Sequence, residues 1–154
     1  MITPTVLLRP IAASEYSQWR TRADATFAAG IGPARGLDPE AALTLARAEI
    51  DKLLVDGPGT EDHLIWIACT GDEPVGSLWI WTKPQVPFVF GIEVDSERRG
   101  RGYGRAIMLA GEAECRARGY AQLDLNVFTN NRTAVGLYES LGYTVVAQQM
   151  RKQL

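Results

Sequence analysis

Apolar residues in the first third of the chain recur with helical spacing, and from His63 onward the pattern changes to that of strands. Thr5-Val6-Leu7-Leu8-Arg9-Pro10 reads as a short strand closed by proline. Ser14 to about Ala29 reads as a helix whose Tyr16, Trp19 and Phe27 face the core, and Gly30-Ile31-Gly32-Pro33 is expected to end it. Asp38 as N-cap with Pro39 at the first helical position announces a second helix, with Leu43, Ala46, Ile50 and Leu53 along one face and Gly57-Pro58-Gly59 as its stop.

The next stretches are rich in β-branched and aromatic residues: His63 to Thr70, a Gly71-Asp72 turn, Pro74 to Trp81, and Pro87 to Val94. A helix follows with Ala106, Leu109, Ala110, Ala113 and Ala117 on one face, ending at Gly119. Ala121 to Val127 alternates as a half-buried strand. Ala134, Leu137, Tyr138 and Leu141 mark a last helix stopped by Gly142, and Tyr143 to Ala147 reads as a closing strand that also offers an apolar edge for a homodimer. Strand, two helices, three strands, then helix, strand, helix, strand predicts an α/β fold of the α+β kind. A mixed sheet carries helices on its faces.

Length and charge narrow the picture. At 154 residues, 46% of them apolar, the chain suits a single domain over 1–154, and no repeat or low-complexity tract divides it. A net charge of -2 argues against a nucleic-acid partner. Cys69 and Cys115 are far apart and His63 is the sole histidine, so no metal site and no required disulfide are expected. The longest apolar run, Leu64 to Cys69, is too short for a membrane span, and Met1-Ile2-Thr3-Pro4 does not begin a secretory signal. A cytoplasmic protein with two buried thiols is the expectation.

Chemistry concentrates in Arg99-Gly100-Arg101-Gly102-Tyr103-Gly104, between a strand and an amphipathic helix. Glycines there uncover backbone amides, the helix N-terminus adds positive potential, and Arg98, Arg99, Arg101 and Arg105 add formal charge. The segment is suited to a di- or polyphosphate. It is not a P-loop, because no Gly-Lys pair occurs in the chain, and it is not a dinucleotide fingerprint, because Gly104 comes one residue too early.

Two motifs in order give this sequence a resemblance to the GCN5-related N-acetyltransferase (GNAT) superfamily. Arg99, Gly102 and Gly104 meet the pattern Arg/Gln-x-x-Gly-x-Gly/Ala, preceded by Ile92-Glu93-Val94-Asp95. Asn131-Arg132-Thr133-Ala134 through Leu137-Tyr138 to Gly142-Tyr143 meets Asn-x-x-Ala-x-x-Leu-Tyr-x-x-x-Gly-Phe/Tyr. The resemblance covers about residues 75 to 150. It implies a mostly antiparallel, twisted sheet splayed between the strand ending at Val94 and the strand at 121–127.

It also implies acetyl-CoA as cofactor, with the pyrophosphate on Arg99, Gly100, Arg101, Gly102, Tyr103, Gly104 and Arg105. Pantetheine would pair with the backbone of Glu93, Val94 and Asp95 and touch Asn131. An N–H near Val94 would polarise the thioester carbonyl, a contact worth roughly 3 to 4 kcal/mol. Tyr138 is either a packed core residue or the general acid that protonates the departing thiolate. Glu93 is either the general base or a solvated strand residue, with Asn126 ahead of Asp124 and His63 as the next choices. Trp66, Trp79 and Trp81 include candidates for the wall of an acceptor cleft. The activity implied is acetyl transfer to a primary amine, small molecule or peptide; a catalytically idle acetyl-CoA-binding sensor is the alternative.

Overall fold

Strand alternation from His63 to Val94 builds the centre of one sheet. A computed structural model describes residues 2–154. Its strands β1 (Leu7–Pro10), β2 (His63–Thr70), β3 (Glu73–Trp81), β4 (Phe88–Val94) and β5 (Asp124–Leu125) lie side by side in chain order. β1 through β4 are antiparallel, and β5 joins β4 in parallel. The β2–β3 turn uses Gly71 at φ 60, where glycine carries no Cβ penalty.

Helices cover both faces, as the element order implies. α1 (Ala13–Arg35) and α2 (Pro39–Leu53) lie on one face, where Trp19 and Ile50 meet Ile65 and Trp79. α3 (Tyr103–Ala117) and α4 (Arg132–Ser140) lie on the other, where Ile107, Met108 and Tyr138 meet Leu78, Ile80 and Val89. Each fully buried aliphatic side chain of these cores stabilises by about 1.5–3 kcal/mol. The Asp38 carboxylate caps α2 by accepting the Ala41 N–H at 2.8 Å, as its position before Pro39 predicts. No described helix is long and apolar enough to cross a membrane.

Three elements depart from the sequence pattern. α1 does not end at Ala29 but runs through Pro33 to a left-handed cap at Gly36, φ 66. Ile31 and Gly32 are buried there against α2, with Gly32 so close to Ala42 that an added Cβ would stand 3.3 Å from it. That packing outweighs the one backbone bond that proline removes near a helix end. Second, the strand expected over Ala121 to Val127 forms a ladder only at Asp124–Leu125, although Leu123 and Leu125 face the core as the alternation predicts. Third, the closing strand expected over Tyr143 to Ala147 is absent. Gly142 and Tyr143 bond back to α4, and residues beyond them make no backbone–backbone hydrogen bond among the described residues. A strand needs a bonded neighbour, and this segment has none.

The opening that positions the site follows from the β4–β5 pairing. β4 meets β5 only at Phe88 with Asp124 and Val89 with Leu125, supplemented by Asp124 N–H to Pro87 O at 2.9 Å. From Phe90 to Val94 that edge of β4 has no strand beside it among the described residues. The sheet is therefore splayed, as expected.

Candidate active site

Backbone direction along β4 decides which groups face the opening. Asp95 N–H donates to Val75 O at 2.9 Å, and Glu93 lies opposite Ser77 in the β3 ladder. Alternation in an antiparallel pair then turns the N–H and C=O of Glu93 and the N–H of Asp95 toward β3 and the N–H and C=O of Val94 outward, while the Asp95 carbonyl accepts the Arg98 N–H at 2.8 Å in the turn after β4. The Val94 carbonyl, facing out, accepts Arg99 Nε at 3.2 Å. Of the three backbone positions named for cofactor pairing, Val94 is thus the one with its amide in the opening; Glu93 is committed to the sheet, and Asp95 to the sheet through its N–H and to the following turn through its carbonyl.

A β-bulge re-aims the side chains just upstream. Trp79 pairs with Gly91 and Ile80 with Val89, so Phe90 is an extra residue on β4. Phe90 and Trp79 fall on the α1/α2 face, with ring centroids 4.8 Å apart. Trp81 lies 5.6 Å from Phe90, and His63 is stacked 6.0 Å from Trp81. His63 Nδ1 accepts the Trp79 Nε1–H at 2.9 Å, which leaves the imidazole proton on Nε2, and burial lowers its pKa below the ordinary value. Its free nitrogen is consumed, so it offers no base.

Glu93 and Asp95 share one strand face and both meet α1. Thr26 Oγ1 donates to Glu93 Oε1 at 2.5 Å, and Arg22 stands 3.7 Å from Asp95. One helical turn separates Arg22 from Thr26, matching the two-residue repeat of β4. The Glu93 carboxylate is therefore held beside the opening on the α1 side, neither buried nor loose in solvent.

On the other side, the glycine–arginine segment enters α3. Gly100 (φ 73) and Gly102 (φ 86) adopt left-handed conformations, and Gly102 is the residue before the first turn. The first amides of α3 have no acceptor within the helix, so Tyr103, Gly104 and Arg105 present them outward. Gly104 has a packing role as well: a Cβ there would stand 3.3 Å from Leu137 and 3.8 Å from Val94, so its absence lets α3 approach α4 and the end of β4.

The arginines divide by partner. Arg98 is bonded to Glu73 and Arg105 Nη1 to Ser140 Oγ at 2.9 Å. Arg99 and Arg101 are exposed and enter no ion pair among the described residues. Arg105 also keeps its charge, since a serine hydroxyl is neutral, so of the four only Arg98 is neutralised by an ion pair among the described residues.

Tyr138 and the asparagines complete the arrangement. Tyr138 is 9% exposed, edge-on to Tyr143 at 5.9 Å, and burial alone raises its phenol above the ordinary value. It is protonated at neutral pH. Asn131 accepts the Ala134 N–H at 3.3 Å through Oδ1 and so starts α4, which leaves its amide nitrogen free. Asn126 is exposed one residue past β5, the strand that borders the opening.

Comparison with known proteins assigns the fold to a family. The profile of the Acetyltransferase (GNAT) family matches residues 34–143, well over half of the chain. This chain belongs to the GNAT acetyltransferase family. The N-acetyltransferase YdgE of Bacillus subtilis, itself uncharacterized, is 30% identical over 68% of this chain and 69% of its own length. The crystal structure of YycN from Bacillus subtilis, assigned by name to the acetyltransferases, superposes with a TM-score of 0.91 at 30% identity, covering 97% of this chain and 99% of that one. A mycothiol acetyltransferase of Thermobispora bispora is 44% identical, but over 47% of this chain and only 21% of that longer protein. AAC(6')-Iy, solved with the bisubstrate analogue CoA-S-monomethyl-acetylneamine, shares the fold at a TM-score of 0.61 and 15% identity.

Two features of this GNAT site were not visible in the residue pattern. Thr26, which fixes Glu93, lies 67 positions from it, and nothing in a helix marks such a residue. The bulge at Phe90 had one weak sign, a glycine at 91 inside an otherwise apolar strand.

Proposed function

We propose that this GNAT acetyltransferase uses acetyl-CoA to acetylate a primary amine by direct attack, with Glu93 as general base and Tyr138 as general acid. The observation that carries the reading is the position of the opening. The Val94 amide faces it from β4, the α3 amides and the free Arg99 and Arg101 lie at one end, and Glu93 stands on the α1 side. The donor supplies its acetyl group as a thioester.

Each residue then has a task set by its surroundings. Arg99, Arg101 and the amides of Tyr103, Gly104 and Arg105 hold the pyrophosphate at the helix N-terminus. The Val94 N–H and the Asn131 amide orient the pantetheine arm. The Val94 N–H also stabilises charge developing on the thioester oxygen, a contribution of about 3–4 kcal/mol. Glu93, directly or through a water, takes the proton of the incoming ammonium, whose ordinary pKa lies near 10. As the carbon–nitrogen bond forms and the carbon–sulfur bond breaks, Tyr138 donates its proton to the departing thiolate, the second proton of the attacking nitrogen passes to solvent water, and solvent returns a proton to Tyr138. The products are the N-acetyl amine and free CoA. Asn126 and the exposed parts of Phe90, Trp81 and His63 flank the acceptor.

Calorimetric titration with acetyl-CoA tests the loop assignment. Gly102→Val, which forces a β-branched residue to φ 86 where a Cβ already meets Pro4 at 3.1 Å, is expected to abolish binding. Arg99→Gln with Arg101→Gln leaves the backbone untouched and is expected to weaken binding at least tenfold. Wild-type affinity in the double variant contradicts the loop assignment.

A further inference from the structure

A row of aromatic rings runs along the α1/α2 face of the sheet, beginning beside Glu93. The Phe90 ring centroid lies 4.8 Å from Trp79, 5.1 Å from Phe88, 5.6 Å from Trp81 and 6.1 Å from His63, which puts Phe90 at the middle of the group. Trp79 is buried in the core, whereas His63, Trp81, Phe88 and Phe90 are each half-buried and keep part of their surface in solvent. A contiguous apolar wall of this kind, continuous with a reaction site, is the ordinary lining of a ligand cleft.

Register connects the wall to Glu93. Ser77 lies opposite Glu93 and Trp79 opposite Gly91, so Glu93, position 91 and, through the bulge, Phe90 share the face toward α1. Position 91 is two residues from Glu93, about 7 Å along the strand, and of these positions it alone has no side chain. The fold does not require that glycine. Its φ lies outside the left-handed region, and a Cβ built there has one heavy atom within 4 Å, in the Trp79 ring at 4.0 Å, whereas a Cβ at Gly111 would stand 2.5 Å from Leu78. The missing side chain leaves a gap floored by Trp79 that joins Glu93 to the rings, and a glycine inside a strand is one mark of close ligand approach.

We propose that this gap and wall hold the body of the acceptor, that the acceptor is a primary amine joined by a short chain to a flat apolar ring, and that Gly91 sets this specificity. The proposal rests on Glu93 receiving the proton of the amine, as in the function proposed above. With the nitrogen at Glu93, a two-carbon chain crosses position 91 and the ring lies against Phe90 and Trp81, where aromatic pairs gain beyond their burial. The wall itself is uncharged. The His63 imidazole accepts the Trp79 indole N–H at 2.9 Å, and burial holds its pKa below the ordinary value although the neighbouring Asp62 carboxylate draws it the other way. A second cation on the substrate would meet the same desolvation, and Asp124, opposite Phe88, is exposed to solvent rather than turned into the rings.

Steady-state CoA release with 2-phenylethylamine, ethylamine and 1,5-diaminopentane tests this on the full chain. For the wild type, kcat/KM for 2-phenylethylamine should exceed that for ethylamine by about 30-fold or more, the return on burying one ring. Gly91→Val fills the gap with a residue that suits a strand, so the ratio of the two kcat/KM values should fall at least tenfold, and Gly91→Ala should lower it by less. The urea midpoint and the calorimetric affinity for acetyl-CoA, measured on both variants, show that the fold and the donor site are intact. A wild-type ratio near one overturns the proposal, as does a ratio that Gly91→Val leaves unchanged. Preference for 1,5-diaminopentane over 2-phenylethylamine also overturns it, since the wall would then serve a second cation. If no amine is turned over while acetyl-CoA binds, the transferase reading fails and the acceptor subsite with it; turnover without ring preference defeats the subsite alone.

Discussion

Replacing Tyr138 by phenylalanine separates packing from chemistry at one residue. The ring is buried against α3 and edge-on to Tyr143 at 5.9 Å, and phenylalanine preserves all of that. The hydroxyl makes no hydrogen bond among the described residues, and burial raises its pKa above the ordinary value. Stability in urea should therefore change by less than about 1 kcal/mol. Loss of a general acid should lower kcat by about 10²–10⁴, equivalent to roughly 2.7–5.4 kcal/mol of transition-state stabilisation. The assay is release of free CoA, followed with a thiol reagent at saturating acetyl-CoA and amine, alongside calorimetric affinity for acetyl-CoA, which should stay within threefold. Because burial raises the Tyr138 pKa, the wild-type rate should persist to above pH 10 before the acid is lost, and the variant should lack that limb. A variant with kcat within twofold of wild type would leave Tyr138 a packing residue and refute its role as acid.

Glu93→Gln keeps an oxygen for Thr26 but removes the base, so kcat should fall about 10²–10⁴ near pH 7.5 and recover as pH approaches the amine pKa; a constant deficit across pH would argue against proton removal by Glu93. Gly76→Ala drives a Cβ into the Glu93 carbonyl oxygen and to 2.9 Å from Ile107, which should cost about 1–3 kcal/mol in urea unfolding and weaken acetyl-CoA binding by displacing the end of β4. For His63, burial lowers the folded pKa, so the unfolded chain binds the proton more readily below about pH 6.5 and stability should fall as pH drops from 7.5 to 5. His63→Gln should flatten that dependence; an unchanged slope would assign it to other groups.

Sequence periodicity reached the central elements because their residues obey one dominant rule each. Asp38 and Pro39 start α2 by capping chemistry, and the β2–β3 hairpin follows from alternation around Gly71. Where two influences compete, the local signal misleads. Gly30 to Pro33 carries the marks of a helix end, yet Ile31 and Gly32 are buried against α2 and the helix continues to Gly36. Tyr143 to Ala147 has strand composition, yet a strand exists only with a partner, and the segment has none among the described residues. The site divides in the same way. Glycines 100, 102 and 104 were readable because left-handed turns and close approach demand that residue. Which way Glu93 points was not, because the bulge at Phe90 and the long-range bond to Thr26 decide it.

The central claim is acetyl transfer from acetyl-CoA to an amine at the β4–β5 opening. Its most direct test is initial-rate CoA release by the wild-type protein with a panel of primary amines, with the acetylated product identified by mass spectrometry. The account predicts that at least one amine raises CoA release at least 100-fold above the amine-free rate, with one N-acetyl product formed per CoA, and that Glu93→Gln and Tyr138→Phe each suppress it. Tight acetyl-CoA binding with no amine raising the rate would contradict it and identify a donor-binding protein without transferase chemistry.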